Sequence, residues 1–293
     1  STGNSISEIQ HQLRQIYGIE YSAASISMVT DRVMEELSIW QHRALATMYV
    51  IIYLDAIHFK VRDEGKVETK AFYTVYGVDV NGNRDVLGLY LGEHEGAHQW
   101  GRILEDIQKR GVEDVLFFCV DGLAGFSEAI LQVYPLSLVQ RCIVHMVRTS
   151  VRFVNSTDIK KVCGDLRKIY TSSDINQAEM GLELFDHTWS KKYKEIAMAW
   201  RNNWSELMAL MNYGKEIRRI IYTTNAVEAL HRQLRKATKT KGAWINPKGL
   251  LKQLYLNLKF QSKGWKRNVF GWISIQRELI EVFGVRYTKH MNQ

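Results

Sequence analysis

Two prolines in 293 residues leave no Pro-rich linker, and no stretch approaches the ~20 consecutive apolar residues that a bilayer span needs. The opening Ser-Thr-Gly-Asn-Ser shows neither the basic nor the apolar segment of a secretory signal. Cysteine is scarce too: Cys119, Cys142 and Cys163 are an odd number without zinc-finger spacing, which argues against a disulfide framework. With 46% hydrophobic residues, the chain reads as a soluble, cytoplasmic globular protein with one large core or two modest ones.

What is abundant is positive charge, and it is unevenly placed. The net charge is +8, yet residues 1–45 carry three Arg against five acids. Residues 213–293 hold seventeen Lys and Arg against four acids. Such a concentration points to a polyanion, and nucleic acid is the natural candidate.

Two stretches share one design. Val115-Leu-Phe-Phe-Cys-Val-Asp121-Gly122 and Met48-Tyr-Val-Ile-Ile-Tyr-Leu-Asp55 are apolar runs that stop at a single acid, the pattern of a buried strand delivering a carboxylate to its tip. Paired side by side, they would set two like charges together, an arrangement that a divalent cation bound between them makes tolerable. Around them, Ala71–Asp79 and Arg84–Leu91 read as strands joined at Asn81-Gly82. Helices follow over His98–Arg110 and Phe126–Val133, then a short strand near Leu136–Gln140 and a helix from Ile143. This β-β-β-α-β-α-β-α order, with acids on the first and fourth strands, is that of a ribonuclease H-like mixed sheet flanked by helices, in which those two strands are neighbours.

Four segments are expected. Residues 1–45 suggest two helices, the first capped by Ser7 and closed by Gly18, the second capped by Ser22. They form either a helix-turn-helix, with Ser25, Ser27 and Thr30 facing bases, or a packed dimerisation hairpin, which the acids Asp31, Glu35 and Glu36 favour. Residues 46–149 are the first part of the core. Residues 150–219 read as an all-α insertion, with Ala178, Leu182, Phe185 and Trp189 on one stripe. Its Trp189, Trp200 and Trp204 could stack on an unpaired base, although tryptophans at this spacing more often fill a core. Residues 220–293 complete the core with basic helices. Within them Glu228 has capping-box spacing from Asn225, but Lys236, Lys239 and Lys241 close behind suggest instead a third acid beside a nucleic-acid groove.

Tyr53-Leu-Asp-Ala-Ile-His-Phe-Lys60, Cys119-Val-Asp-Gly-Leu-Ala-Gly-Phe126, Gln140-Arg-Cys-Ile-Val-His145 and Ile221-Tyr-Thr-Thr-Asn-Ala-Val-Glu228 closely resemble, in order, the signature blocks of the Mutator-type transposases of bacterial insertion sequences. The resemblance implies that Asp55, Asp121 and Glu228 match the family's catalytic Asp-Asp-Glu and that Cys142-x-x-His145 matches its Cys-x-x-His signature. It implies two Mg²⁺ or Mn²⁺ ions, with Asp55 bridging both, and phosphoryl transfer that nicks transposon ends and joins 3′-hydroxyls to target DNA. The implied partners are terminal inverted repeats and target DNA, in a homodimer or larger synaptic assembly at the bacterial nucleoid. His145 is expected to contact the scissile phosphate or brace the site, and Cys142 to pack nearby, since a zinc site would lack two ligands. His58, Lys60, Arg232, Arg235, Lys236, Lys239, Lys241 and Trp244 are the candidate DNA contacts, with Lys248, Lys252, Lys259, Lys263, Lys266 and Arg267 extending the charge. Two other readings stand beside this one: a transposase-derived DNA-binding protein without catalysis, and a structure-selective nuclease of the same fold.

Overall fold

The computed structural model describes residues 22–92, 96–123, 125–222, 224–238, 242–244, 246–262 and 268–291, with residues 10, 11, 14, 15 and 20. The expected helix from Ser7 to Tyr17 lies largely outside these residues, as do the side chains of Ser25, Ser27 and Thr30 and all of Lys239, Lys241, Lys263, Lys266 and Arg267.

A five-stranded mixed sheet organises the chain. Its strands are β1 (Met48–Asp63), β2 (Lys66–Asp79), β3 (Arg84–Gly92), β4 (Asp114–Val120) and β5 (Leu138–Arg141), in the order β3-β2-β1-β4-β5. The first three form an antiparallel meander, while β4 runs parallel to β1 and β5 parallel to β4. Each parallel step needs a crossover, supplied by α2 (Ala97–Lys109) and α3 (Phe126–Val133). Strands covered on both faces read as continuous apolar runs, which is why Met48–Leu54 and Val115–Val120 lack alternation.

The two faces carry separate cores. Ile52, Leu54, Phe118 and Val120 pack with Trp100, Ile103, Leu104 and Ile107 of α2 and Phe126 of α3. On the other face, Ile51, Tyr53, Phe117 and Cys119 meet the helices that follow β5. These are α4 (Ile143–Ser150), α5 (Ser156–Tyr170), α6 (Ile175–Asn202), α7 (Trp204–Met208), α8 (Lys215–Ile221), α9 (Asn225–Thr238), α10 (Pro247–Ser262), α11 (Trp272–Phe283) and α12 (Val285–Thr288). Tyr53 donates its hydroxyl to the Ile220 carbonyl (2.7 Å) and Cys119 its thiol to that of Ile221 (3.3 Å), so the chain entering α9 is fastened to the middle of the sheet.

The N-terminal helix α1 (Ala23–Gln41) lies along α10, with Trp40 and Tyr255 at 5.5 Å between ring centroids. Asp31 pairs with Lys252 and Glu36 with Lys259, so part of the N-terminal acid excess is matched by the basic C-terminal helices. The helical stripe expected in residues 150–219 is core: Ala178, Leu182, Phe185 and Trp189 are buried, and so is Trp200. Trp189 and Trp200 are therefore closed to a base.

Candidate active site

The β1/β4 register brings the two strand acids together. Its last parallel pair is Tyr53 with Cys119, and each chain runs two residues further to Asp55 or Asp121. Two residues is one side-chain period, so both carboxylates fall on the face of Tyr53 and Cys119. Asp55 is not at the tip of its strand, as the sequence suggested. There β1 parts from β4 but runs on to Asp63 against β2, with Ile57 and Val61 buried and His58 and Lys60 exposed. That alternation sends His58 and Lys60 to the face opposite Asp55.

Asp121 follows the last residue of β4, and the chain turns at Gly122 with φ of +92°. A Cβ there would come within 2.1 Å of the Arg141 side chain, so only glycine allows both the turn and the close guanidinium. The Asp121 carboxyl is pushed above its usual range by burial and then by the charge of Asp55, against the opposing pull of His145 and Arg141. Its Oδ1 is buried with no hydrogen-bond partner among the described residues, an arrangement that costs free energy unless something else binds there.

Glu228 reaches the same corner from the first turn of α9. One carboxylate oxygen sits 3.0 Å from His145 Nε2, and the other lies 3.4 Å from the Arg148 guanidinium, which is mostly solvent-exposed. Thus Glu228 points across to α4. Cys142 sets this meeting. Its sulfur caps α4 by accepting the His145 amide (3.5 Å) and also accepts the Thr224 amide (3.5 Å) and hydroxyl (3.3 Å) at the start of α9. One buried sulfur so joins the two helix N-termini that present His145 and Glu228. The neighbouring Cys142 sulfur above all, and then the charges of Asp55 and Glu228, lift His145 above the usual histidine range despite its partial burial.

Sequence reasoning missed His231. It is 5% exposed, with Nδ1 3.2 Å from Asp55 Oδ2 and Nε2 2.9 Å from Thr74 Oγ1. Thr74 is directly opposite Asp55 in the β1/β2 register, so the imidazole bridges two paired strands from α9. The signal was present: His231 interrupts the buried stripe of Val227, Leu230 and Leu234 with a polar ring, one turn from Glu228. Arg148 and Arg141 were likewise passed over, because neither contact is local in sequence.

Of the candidate DNA contacts on α9, Arg232, Arg235 and Lys236 are exposed. Trp244 is only 6% exposed; its backbone bonds to β1 at Lys60 and Arg62 (2.9 and 2.7 Å) and its ring joins the core, so the expected surface contact is a buried anchor. The donors gathered at the sheet edge are carboxylate oxygens, which suit a hard divalent cation. Asp55 and Asp121 form an adjacent pair, but among the described residues no group of three or more His, Cys, Asp or Glu is drawn together tightly enough to hold a metal ion. Nor is any helix among them long and apolar enough to cross a membrane.

Residues 1–268 match the sequence profile of a family described as "Transposase, Mutator family". Over 286 residues the chain is 40% identical to a transposase for insertion sequence element ISRM3 of Rhizobium meliloti (strain 1021), an alignment covering 97% of this chain and 72% of that protein. It is 38% identical over 255 residues to a probable transposase of Corynebacterium diphtheriae, covering 87% and 74%. A solved structure, the Drosophila P element transposase strand transfer complex, aligns over 95% of this chain and 78% of that one at 9% identity and a TM-score of 0.34. Matched over most of its length by the family profile and by these relatives, the chain belongs to the Mutator family of transposases.

Proposed function

We propose that this transposase acts through Asp55, Asp121 and Glu228 as a DDE enzyme, holding two Mg²⁺ or Mn²⁺ ions and transferring phosphoryl groups on DNA so that element ends are nicked and their 3′-hydroxyls joined to a target. The supporting observation is the register that puts Asp55 and Asp121 side by side with a buried, unpartnered Asp121 oxygen. Bound at that edge, such ions supply activation of a water or 3′-hydroxyl and neutralise charge on the leaving oxygen. In this reading the sheet is a ribonuclease H-like core formed by residues 46–149 and 220–293. Residues 150–219 are an insertion between its halves, and residues 1–45 a dimerisation or DNA-binding segment. DNA ends and target would be held in a dimer or larger synapse.

The chain's own residues then have separable tasks. Asp55 and Asp121 present oxygens from adjacent strands, and His231 holds Asp55 in place from the buried side. Glu228 completes the set when it exchanges its contacts with His145 and Arg148 for the shared centre. His145, readily protonated, and Arg148 then leave positive charge where a phosphate oxygen would sit. Arg232, Arg235 and Lys236 continue that charge along the exposed face of α9, where the DNA backbone would run.

Asp121→Asn keeps the shape and removes one anionic ligand. Joining of labelled element ends should disappear while DNA affinity stays within about twofold and the melting temperature holds or rises, since the variant relieves repulsion with Asp55. Joining retained by this variant would remove the mechanism. The engagement of Glu228 by His145 and Arg148, with no metal-holding group of three among the described residues, stands on the side of a DNA-binding protein without catalysis. Metal-dependent turnover separates the two, and a cleaved but unjoined product would indicate a nuclease.

A further inference from the structure

Between α4 and the middle of α6 lies a cavity of about 580 Å³. Its walls include Arg141, Thr149, Phe153 and Asn203, with Lys191 and Lys194 at the rim. It shares Arg141 with the active-site corner. Arg141 fills the space beside Gly122, lowers the Asp121 carboxyl by its charge, and donates to Asn203 Oδ1 on the cavity wall.

Three features give the cavity a chemical preference. Phe153 is 84% exposed at the cavity, with the Arg152 guanidinium over one side of its ring at 5.4 Å from the centroid. Opposite it α6 is broken, and the cations Lys191, Lys192 and Lys194 flank the break. At Tyr193 the backbone leaves helical geometry (φ −141°, ψ 47°), and the Tyr193 hydroxyl fixes the bend by donating to Asp158 (2.8 Å) and accepting the Asn155 amide (3.3 Å). In an unbroken helix Lys191 and Lys194, three apart, share a face, while Lys192 is turned about 100° from Lys191. Around the bend all three line the one opening, Lys192 paired with Asp158 (3.3 Å) and Lys194 near Glu195 (3.9 Å). Finally, the lining carries four cations, Arg141 and these lysines, against the single acid Glu195. A flat apolar ring beside concentrated positive charge is complementary to a base and its phosphate.

We propose that this cavity takes one unpaired nucleotide of a DNA strand, its base stacked on Phe153 and its phosphate held by Lys191, Lys194 and Arg141, next to the position where the strand is cut. The proposal rests on DNA being the substrate, and its placement beside the cut rests on the acids as the catalytic site, whereas single-strand binding itself does not. Duplex DNA keeps its bases stacked inside and has none to offer. The site therefore selects strands that are open or frayed near the scissile phosphate.

The test compares a fluorescent twelve-nucleotide oligodeoxythymidine with a twelve-base-pair duplex, binding to the whole chain in EDTA so that cutting is absent. Phe153→Ala touches no core and should fold as wild type. Loss of one base–aromatic stack should weaken single-strand binding about 5- to 150-fold and leave duplex binding within about twofold. Lys191→Glu with Lys194→Glu should weaken single-strand binding further and flatten its salt dependence. An oligonucleotide carrying one 5-iododeoxyuridine should photocrosslink to a peptide containing Phe153. Single-strand binding that is absent in wild type, unchanged in Phe153→Ala, or lost in parallel with duplex binding would overturn the proposal. Joining assays on Asp121→Asn report on the acids alone, so failure of the catalytic reading is seen separately.

Discussion

Cys142 shows how much one small side chain can organise. A serine or aspartate is the usual residue at a helix start, yet here a thiol fills the position and accepts from two helices at once. Cys142→Ala should cost about 1–2 kcal/mol in urea unfolding, the range for losing an N-cap together with a buried acceptor. Cys142→Ser, which restores an acceptor, should recover most of that. If the residue were a metal ligand, serine would not rescue and chelator would destabilise the wild type.

Under the proposed metal mechanism, His231 bears on function more directly. With Thr74 on one nitrogen and Asp55 on the other, the ring fixes which way the carboxylate faces. Removing such a supporting partner typically weakens metal binding 10- to 100-fold. His231→Ala should thus raise the Mn²⁺ concentration needed for half-maximal joining by about that factor, and titration calorimetry with Mn²⁺ should show the same shift without any turnover. His231→Gln, which keeps a donor of similar reach, should lie between. Equal Mn²⁺ affinity in all three would reduce the ring to a packing element.

At the scale of elements, the apolar runs and their acids were legible because a strand buried on both faces leaves a run of β-branched and aromatic residues that no surface helix matches. The continuation of β1 past Asp55 was not legible. Its far half alternates charge with Ile57, Phe59 and Val61, and its turn is Glu64-Gly65 rather than an Asn-Gly pair. Both turn residues have positive φ, +46° and +84°, as a tight hairpin of this hand requires, so Glu64 sits where an L side chain is disfavoured by roughly 1–2 kcal/mol. Asparagine tolerates that backbone better. Glu64→Asn should therefore raise stability by about 0.5–1 kcal/mol, read as a shift in urea midpoint at constant slope. The meeting of α4 and α9 was hidden for a different reason. Cys142 and Thr224 are far apart in sequence, and no periodicity within either helix encodes their contact.

For the whole molecule, the open question is what closes the sheet at the end away from the acids. The answer is the C-terminal stretch beyond residue 268, which the family profile does not reach. Trp272 lies against Gly82, and the fully buried Tyr287 donates its hydroxyl to the Val80 carbonyl (2.8 Å). Arg286 grips Asp114, the first residue of β4, with two bonds of 2.7 and 2.9 Å. Tyr287→Ala, which empties a buried aromatic site, should cost about 3–5 kcal/mol.

The ion pair adds a pH signature. Burial alone would push the Asp114 carboxyl up, but Arg286 outweighs it, and the group titrates below its usual range. A carboxyl with a depressed folded-state pKa contributes stability that is complete above its unfolded value, near 4, and disappears as pH falls through the folded value. Arg286→Gln should therefore melt below wild type at pH 7, and the gap should narrow steadily as pH is lowered from about 5 toward 3. A gap that stays constant over that window would mean that Arg286 stabilises through its packing on Phe283, whose ring centroid is 5.8 Å from the guanidinium, and not through its charge. Because Asp114 opens the strand that leads to Asp121, a looser C-terminal clamp should also loosen the β1/β4 pairing on which the carboxylate pair depends. Joining activity in Arg286→Gln should then fall more steeply on warming than the unfolded fraction accounts for.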